Sequence, residues 1–467
     1  MNTIRLVSWF TAALALAPSL GHAQPTLIAV GSLTDSRAGA NADLSGLTYS
    51  LENQAPANLL GGLGSAIAYD SGKKFLLLPD RGPNAVTFDA AIDNTVSYVN
   101  RFHTVQMDLD RNPAGPLPFT LTTRLQDTTL LWSHSSLVYG TGSGLGVGSG
   151  VPPINNANQH FFTGRSDNFD PAGNSGNPNN ARFDTEGIRV SADGQSVFIS
   201  DEYGPYLYQF DRLSGTRLRS YALPEKFYVT NQRPVGNDEI SANTVGRTAN
   251  KGMEGLAITP DGNTLVGIMQ TALIQDAAQG GAAANLLRIV TIDVVSGATK
   301  EYAYLLTTGT GVSEILAINS HEFLVDERDG KGREGASDGS SNNAVVKQLF
   351  KIDLAGAVDV SNEDGLTAAT HAVNKTLFLD LVAALTSNGI AANRIPAKIE
   401  GIAFGPDVRV DHHTRLHTLW VSNDNDFLLQ TADVPPVPNP NQFFVFGFTD
   451  EDLPGYVPPT HGLPFGN

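Results

Sequence analysis

Short apolar runs in this chain come in pairs joined by a turn, and in four pairs a glutamate opens the first run. Asp184-Thr185-Glu186-Gly187-Ile188-Arg189-Val190 reaches the turn Asp193-Gly194 and returns through Val197-Phe198-Ile199-Ser200-Asp201-Glu202. Met253-Glu254-Gly255-Leu256-Ala257-Ile258 turns at Asp261-Gly262 and returns through residues 265–269. Glu400-Gly401-Ile402-Ala403-Phe404 leads through a longer turn to Leu419-Trp420-Val421-Ser422-Asn423-Asp424-Asn425-Asp426. A looser copy runs Glu314-Ile315-Leu316-Ala317-Ile318, then Phe323-Leu324-Val325-Asp326-Glu327. Asp-Gly between short apolar runs predicts a β-hairpin. The residue opening one strand of a hairpin lies near the residue closing the other, so Glu186 is expected roughly across from Asp201.

The hairpins recur at the spacing of a repeat. Glu186 to Glu254 is 68 residues, Glu254 to Glu314 is 60, and Glu314 to Glu400 is 86. Upstream, Gly64-Ser65-Ala66-Ile67-Ala68-Tyr69, the turn Ser71-Gly72 and Phe75-Leu76-Leu77-Leu78-Pro79-Asp80 form the same pattern, with Ser65 in the acid position. The 121 residues from Ser65 to Glu186 are about two periods, which a degenerate unit near 125–138 would fill. The count predicts an all-β chain folded as a single β-propeller of six blades with loop insertions. One short helix is expected over residues 376–385, stopped by Asn388-Gly389. Residues 443–448 read as a last strand closing the ring, with 27–30 or 47–51 as its partner. The glycines after Glu186, Glu254 and Glu400 are read as bulge positions that let strands crowd at the hub. Residues 140–150, 151–182 and 326–343 read as long loops.

Composition agrees with many turns: the 467 residues include 47 Gly and 26 Pro. Residues 1–23 carry Arg5, an apolar stretch and the small residues Gly21-His22-Ala23, which predicts a signal peptide and a mature propeller domain over 24–467. The expected location is therefore periplasmic or secreted, with no membrane span after cleavage. A net charge of −17 argues against nucleic acid as a partner. The absence of cysteine removes thiol chemistry and thiolate metal ligands. A monomer acting on a small anionic or ester substrate is expected.

In a propeller the inner strand of each blade lines the central channel, so a residue opening it and a residue closing the next strand share one face. That places Glu186, Glu254, Glu314 and Glu400 around one channel mouth, with Asp201, Asp326 and Asp424 beside them. Like carboxylates at close range take up protons or bind a cation. An all-oxygen set favours Ca²⁺. These seven acids are the expected metal ligands, with Glu254 and Asp201 as catalytic residues. The other reading makes each Glu a cap on backbone N–H groups and each Asp a turn residue. Arg81, Arg165 and Lys251 are the expected anion-binding side chains. No His-Glu-x-x-His, P-loop or Gly-x-Ser-x-Gly motif occurs.

Several segments together resemble a phytase-like family of exported bacterial proteins described by an esterase-like activity of phytase. They are Ser45-Gly46-Leu47, Asp80-Arg81-Gly82-Pro83-Asn84, Phe162-Thr163-Gly164-Arg165-Ser166, Asp184-Thr185-Glu186-Gly187, Ser200-Asp201-Glu202-Tyr203-Gly204-Pro205, Gly252-Met253-Glu254-Gly255, Lys398-Ile399-Glu400-Gly401 and Ser422-Asn423-Asp424-Asn425-Asp426. The resemblance spans about residues 40–450 and implies a β-propeller with ester-hydrolysing activity. True β-propeller phytases bind several calcium ions at an acidic channel mouth, and a metal-activated water attacks phosphorus. The resulting expectation is an exported, metal-dependent ester hydrolase acting on phosphoric esters. The alternatives are a calcium-dependent lactonase or arylesterase, which Asn423 and Asn425 would suit, and a non-catalytic binding propeller with structural calcium.

Overall fold

Each hairpin read from the sequence becomes the inner pair of a four-stranded antiparallel sheet in a computed structural model of the chain. The model describes residues 24–83, 88–140, 145–335, 342–411, 413–432 and 435–459. The signal-like segment 1–23, Asn84 and His412 lie outside those residues.

Five sheets form the blades. The first blade runs outward through Ala66–Ser71, Lys74–Leu78, Arg101–Arg111 and Phe119–Leu130. The second uses Thr185–Val190, Ser196–Asp201, Leu207–Asp211 and Arg217–Tyr221; the third uses Met253–Ile258, Thr264–Met269, Leu286–Asp293 and Thr299–Leu305. The fourth uses Gly311–Ala317, Glu322–Arg328, Lys347–Asp353 and Lys375–Asp380. In the fifth, Ile399–Arg409, Arg415–Asn423 and Asn441–Phe448 are joined by Thr26–Leu33 from the other end of the chain, which pairs with the 441–448 strand and closes the ring. Of the two partners considered for 443–448, the structure uses 27–30.

The blade count of six is corrected to five. Residues 119–130 are not a further blade but the outer strand of the first, paired along its length with 101–111. The 121-residue interval is one blade plus an insertion in which, among the described residues, the one ladder is Trp132–Ser133 with His160–Phe161. The helix expected over 376–385 begins later. Lys375–Asp380 is a strand and Leu381–Ser387 the helix, with the Asp380 carboxylate accepting from the Ala383 amide as its N-cap. Among the described residues three other short α-helices lie in connections, at Gly236–Ala242, Ile274–Ala277 and Gly365–Ala369. Among the described residues no helix is long and apolar enough to cross a membrane.

The inner strands touch one another in cyclic order, and an apolar cluster fills each wedge between adjacent blades. The wedge between fifth and first blades stacks Phe75 on Trp420 with ring centroids 4.5 Å apart. Nearer the axis, two glycine positions leave no room for a side chain. A Cβ on Gly255 would come 2.7 Å from the Ile315 backbone nitrogen, and one on Gly401 would come 2.9 Å from the Ile67 nitrogen. The expected glycine bulges are therefore real, and close backbone approach requires them rather than positive φ.

Arg189 crosses this hub. Its guanidinium donates to the carbonyls of Ile67 (3.0 Å) and Ile315 (3.1 Å) and pairs with Glu314 at 2.9 Å. Glu314 in turn accepts from the Leu256 amide at 2.9 Å. One buried ion pair thus ties together inner strands from four blades. Replacing Arg189 with Ala leaves a buried carboxyl without its cation, and is expected to cost about 3–5 kcal/mol in urea unfolding. A loss under about 1 kcal/mol would show the pin to be dispensable.

Candidate active site

In the second to fifth blades the first strand has an irregularity in pairing near its opening, and the second strand closes beside it. Register shifts fall between Thr185 and Ile188, Met253 and Gly255, Val312 and Glu314, and Ile399 and Ile402. Aligned on them, one position is Ser65, Glu186, Glu254, Ser313 and Glu400 around the ring. Just past the partner of the residue that precedes each shift stand Glu202, Gln270, Arg328 and Asp424, and Asp80 stands at the same end of the first blade, two residues past Leu78. Two residues before the glutamates stand Asp184 and Lys398, on the same side because side chains in a strand alternate.

These positions converge on one cavity of about 270 Å³. It is lined by Asp80, Arg81, Asp184, Glu186, Glu202, Asn250, Glu254, Gln270, Arg328, Lys398, Glu400 and Asp426. Asp424 stands against it, paired with Lys398. Eight carboxyl groups therefore face three cationic side chains, a formal surplus of five negative charges in a largely buried space.

The cations are engaged by acids. Arg81 donates to the Asp184 carboxylate at 3.1 Å and to Asn250. Lys398 pairs with Asp424, with Asp426 at 2.8 Å and with Glu400 at 3.8 Å. Arg328 reaches Glu400 at 2.5 Å and Glu254 at 3.5 Å, and its Nε donates to Ser313. Gln270 donates to Glu254 at 2.8 Å.

What remains is not neutralised. Burial holds Glu186 protonated well above the usual carboxylate range, and the charges of Glu254 and Glu202 add to it. Burial does the same to Glu254, reinforced by Glu202, whose carboxyl also bonds it. Burial and then Asp424 raise Asp80. Asp184 is pushed up to about 6 and Asp424 to about 7 by burial, with Arg81 and Lys398 respectively opposing it. Two groups of three acids each bring their oxygens within 4.8 Å of one another: Asp184, Glu186 and Glu202, and Asp80, Asp424 and Asp426. The second group already embraces the Lys398 ammonium, whereas the first has only Arg81 on Asp184. Glu400 Oε2 is buried with no hydrogen-bond partner. All-oxygen donors, with no histidine among the lining residues, fit a hard cation such as Ca²⁺.

The structure brings together Glu186, Glu254, Glu400 and Asp424, and with them Arg81. It sets other expected residues apart. Glu314 stands one position further along its strand than the other glutamates, in the place the others give to glycine, and is spent on Arg189. Asp201 pairs with Thr185 and points away from the cavity; its oxygens accept from the amides of Asp184 (2.8 Å) and Gly204 (2.5 Å). Asp326 is buried behind Arg328 with neither oxygen hydrogen-bonded, and burial pushes it up to about 8. Arg165 is buried against Asp167 and Glu52, and Lys251 is exposed beside the rim residue Asn250. Asn423 and Asn425 are committed to backbone groups: Asn423 accepts from the Gln442 amide, and Asn425 accepts from Gly62.

Asp80, Asp184, Glu202, Gln270, Arg328, Lys398 and Asp426 were not among the expected metal, catalytic or anion-binding residues, although the hairpin geometry puts Asp80, Glu202, Gln270 and Asp426 on this face. Their signal was the strand period itself. Once Glu-Gly fixes the phase, Asp184 and Lys398 fall two residues earlier on the same face, and the second strand contributes Glu202 rather than Asp201.

Comparison with known proteins follows this geometry. A family model described as "Phytase-like: Esterase-like activity of phytase" matches residues 58–427. A protein of Arthroderma benhamiae titled "Uncharacterized secreted protein" is 27% identical over 331 residues, which cover 59% of this chain and 60% of that protein. Among solved structures, a putative 6-phosphogluconolactonase from Bacteroides uniformis is 10% identical, covering 82% of this chain and 88% of its own, with a TM-score of 0.30. Hydrazine synthase of Kuenenia stuttgartiensis is 11% identical over 52% of this chain and 66% of its own, with a TM-score of 0.26.

The raised carboxyls give a pH dependence whose sign is fixed. Between about pH 4 and about pH 8 the unfolded chain has released protons that the folded protein retains on Asp184 and Asp424 at the cavity and on Asp201 behind it, so stability falls as pH rises. With chelator present, the melting temperature is expected to fall between about pH 5 and about pH 8. A flat or rising profile in calorimetry would contradict the buried surplus.

Proposed function

We propose that this chain, which belongs to the Phytase-like family, is an exported hydrolase that cleaves an anionic ester, of phosphoric-ester type, with a divalent cation at the hub cavity. The observation that carries the reading is the surplus of five negative charges around one open, polar cavity. Export is supported by the signal-like character of residues 1–23 and by the secreted relative.

Asp184, Glu186 and Glu202 would hold the cation, with Glu254 and Glu400 facing them. The chemistry that Ca²⁺ would supply there is a water of lowered pKa and a Lewis acid for the ester oxygens. The protein's own contribution is positional and protonic. Asp201 fixes the Asp184 backbone by accepting its amide, which makes it a positioning residue. Glu254, held protonated by burial and by Glu202, would give its proton to the departing oxygen of the ester. The cavity's cations meet the anionic group, with Arg81 anchored through Asp184 on the rim.

A panel of p-nitrophenyl phosphate, phenyl acetate and a γ-lactone, each with Ca²⁺ and with chelator, tests the reading. Turnover of the phosphate ester that chelator abolishes is expected. Turnover of only the acetate or lactone supports the lactonase or arylesterase alternative, and stabilisation by Ca²⁺ without turnover supports a binding propeller. Glu254→Gln is expected to lower kcat at least about 100-fold, the usual scale for a lost general acid. Full activity in that variant would remove Glu254 from the chemistry.

A further inference from the structure

We propose that Arg328 is the receptor for the substrate's anionic group, and that it is released for this task only when the facing carboxylates carry a divalent cation. The inference rests on the cation-dependent reading of the cavity and adds the group that selects the substrate and the order of binding.

The fourth blade breaks the ring. Where three blades present a glutamate, it presents Ser313; where the others present Asp80, Glu202, Gln270 and Asp424, it presents Arg328. Arg328 is the one cation within these two rings of positions. The pair is built together, because Arg328 Nε donates to Ser313 Oγ, and a carboxylate at 313 would take that guanidinium for itself. The remaining reach of Arg328 goes to Glu400 at 2.5 Å and Glu254 at 3.5 Å.

The other two cations are more firmly occupied. Arg81 is held by both oxygens of Asp184, through its backbone amide and its guanidinium, and by Asn250. Lys398 sits inside the triad of Asp80, Asp424 and Asp426. Arg328 instead bridges two glutamates that face the other triad, and one of them, Glu400, has an oxygen without a partner. A divalent cation held by Asp184, Glu186 and Glu202 draws the free oxygen of Glu400 toward it, and so loosens the hold on Arg328.

Electrostatics fixes the order. An anion entering a cavity whose acids outnumber its cations by five is disfavoured, and each divalent cation bound offsets two of those acids. The guanidinium then offers a planar fork of N–H donors that matches two oxygens of a phosphate group. Cation and anion binding are therefore positively coupled, and the coupling is reciprocal. The substrate class is an ester with one compact oxyanion, a phosphate monoester end group, rather than a densely phosphorylated ring that would need many cations.

Titration calorimetry with inorganic orthophosphate tests this on the full chain, with Ca²⁺ and with chelator, on wild type, Arg328→Gln and Ser313→Ala. Ca²⁺ affinity is measured alongside. Wild type is expected to bind phosphate only with Ca²⁺. Arg328→Gln is expected to lose at least about tenfold in phosphate affinity while keeping its Ca²⁺ affinity, as removal of a charge-assisted pair predicts. Ser313→Ala, a smaller change less exposed to folding failure, is expected to lose a few-fold. Unchanged phosphate affinity in both variants overturns the proposal, as does phosphate binding indifferent to Ca²⁺ or absent from wild type. Failure of wild type to bind Ca²⁺ overturns the cation-dependent reading itself, whereas Ca²⁺ binding with an indifferent Arg328 overturns this inference alone.

Discussion

Glu186, Glu254 and Glu400 project from equivalent irregularities of three blades into one cavity, where burial opposes the charge of the first two and their neighbours deepen the effect. Three cations are too few to neutralise eight acids, so the folded protein either keeps protons there or recruits a cation. Both outcomes follow from the same geometry. The ring fixes how closely the carboxyl groups approach, and their separation fixes how strongly they resist ionisation together.

That approach depends on the hub. Glycines at 187, 255 and 401 let inner strands come within contact distance of the next blade's backbone, and each glycine follows directly on a cavity glutamate. Beneath them, Arg189 and Glu314 hold inner strands from four blades. The fourth blade gives up glycine and glutamate at these two positions, placing Glu314 and Ser313 there instead. One substitution supplies the partner of the pin and the other seats Arg328. The departure from symmetry that weakens the repeat in the sequence is thus what provides both the structural tie and the cationic side of the cavity.

Much of this was legible from residue order. Asp-Gly turns between apolar runs marked the hairpins, and their recurrence marked a propeller, because those signals are local. The number of blades was not, since a long insertion and a missing blade have the same length in sequence. Residues 119–130 alternate apolar and polar as any outer strand does, and nothing local assigns them to the first blade. At the site the glutamates of three blades were found through their shared Glu-Gly pair. Of the second-strand acids Asp424 stands at the cavity, whereas Asp201 and Asp326 lie one and two residues before the cavity positions of Glu202 and Arg328, and in a strand a shift of one reverses the face. Asp201 therefore faces the backbone that it braces, while Glu202 faces the cavity. Arg165 had no phase to place it; its environment is a loop cluster with Asp167 and Glu52.

The account requires that a cation entering the cavity displace protons held there by like charges. Calcium titration by calorimetry in two buffers of different ionisation enthalpy, near pH 6.5, measures that exchange directly. Binding accompanied by proton release, diminished in Glu186→Gln, is the predicted result. Binding with no proton release, or no binding at all, would contradict it.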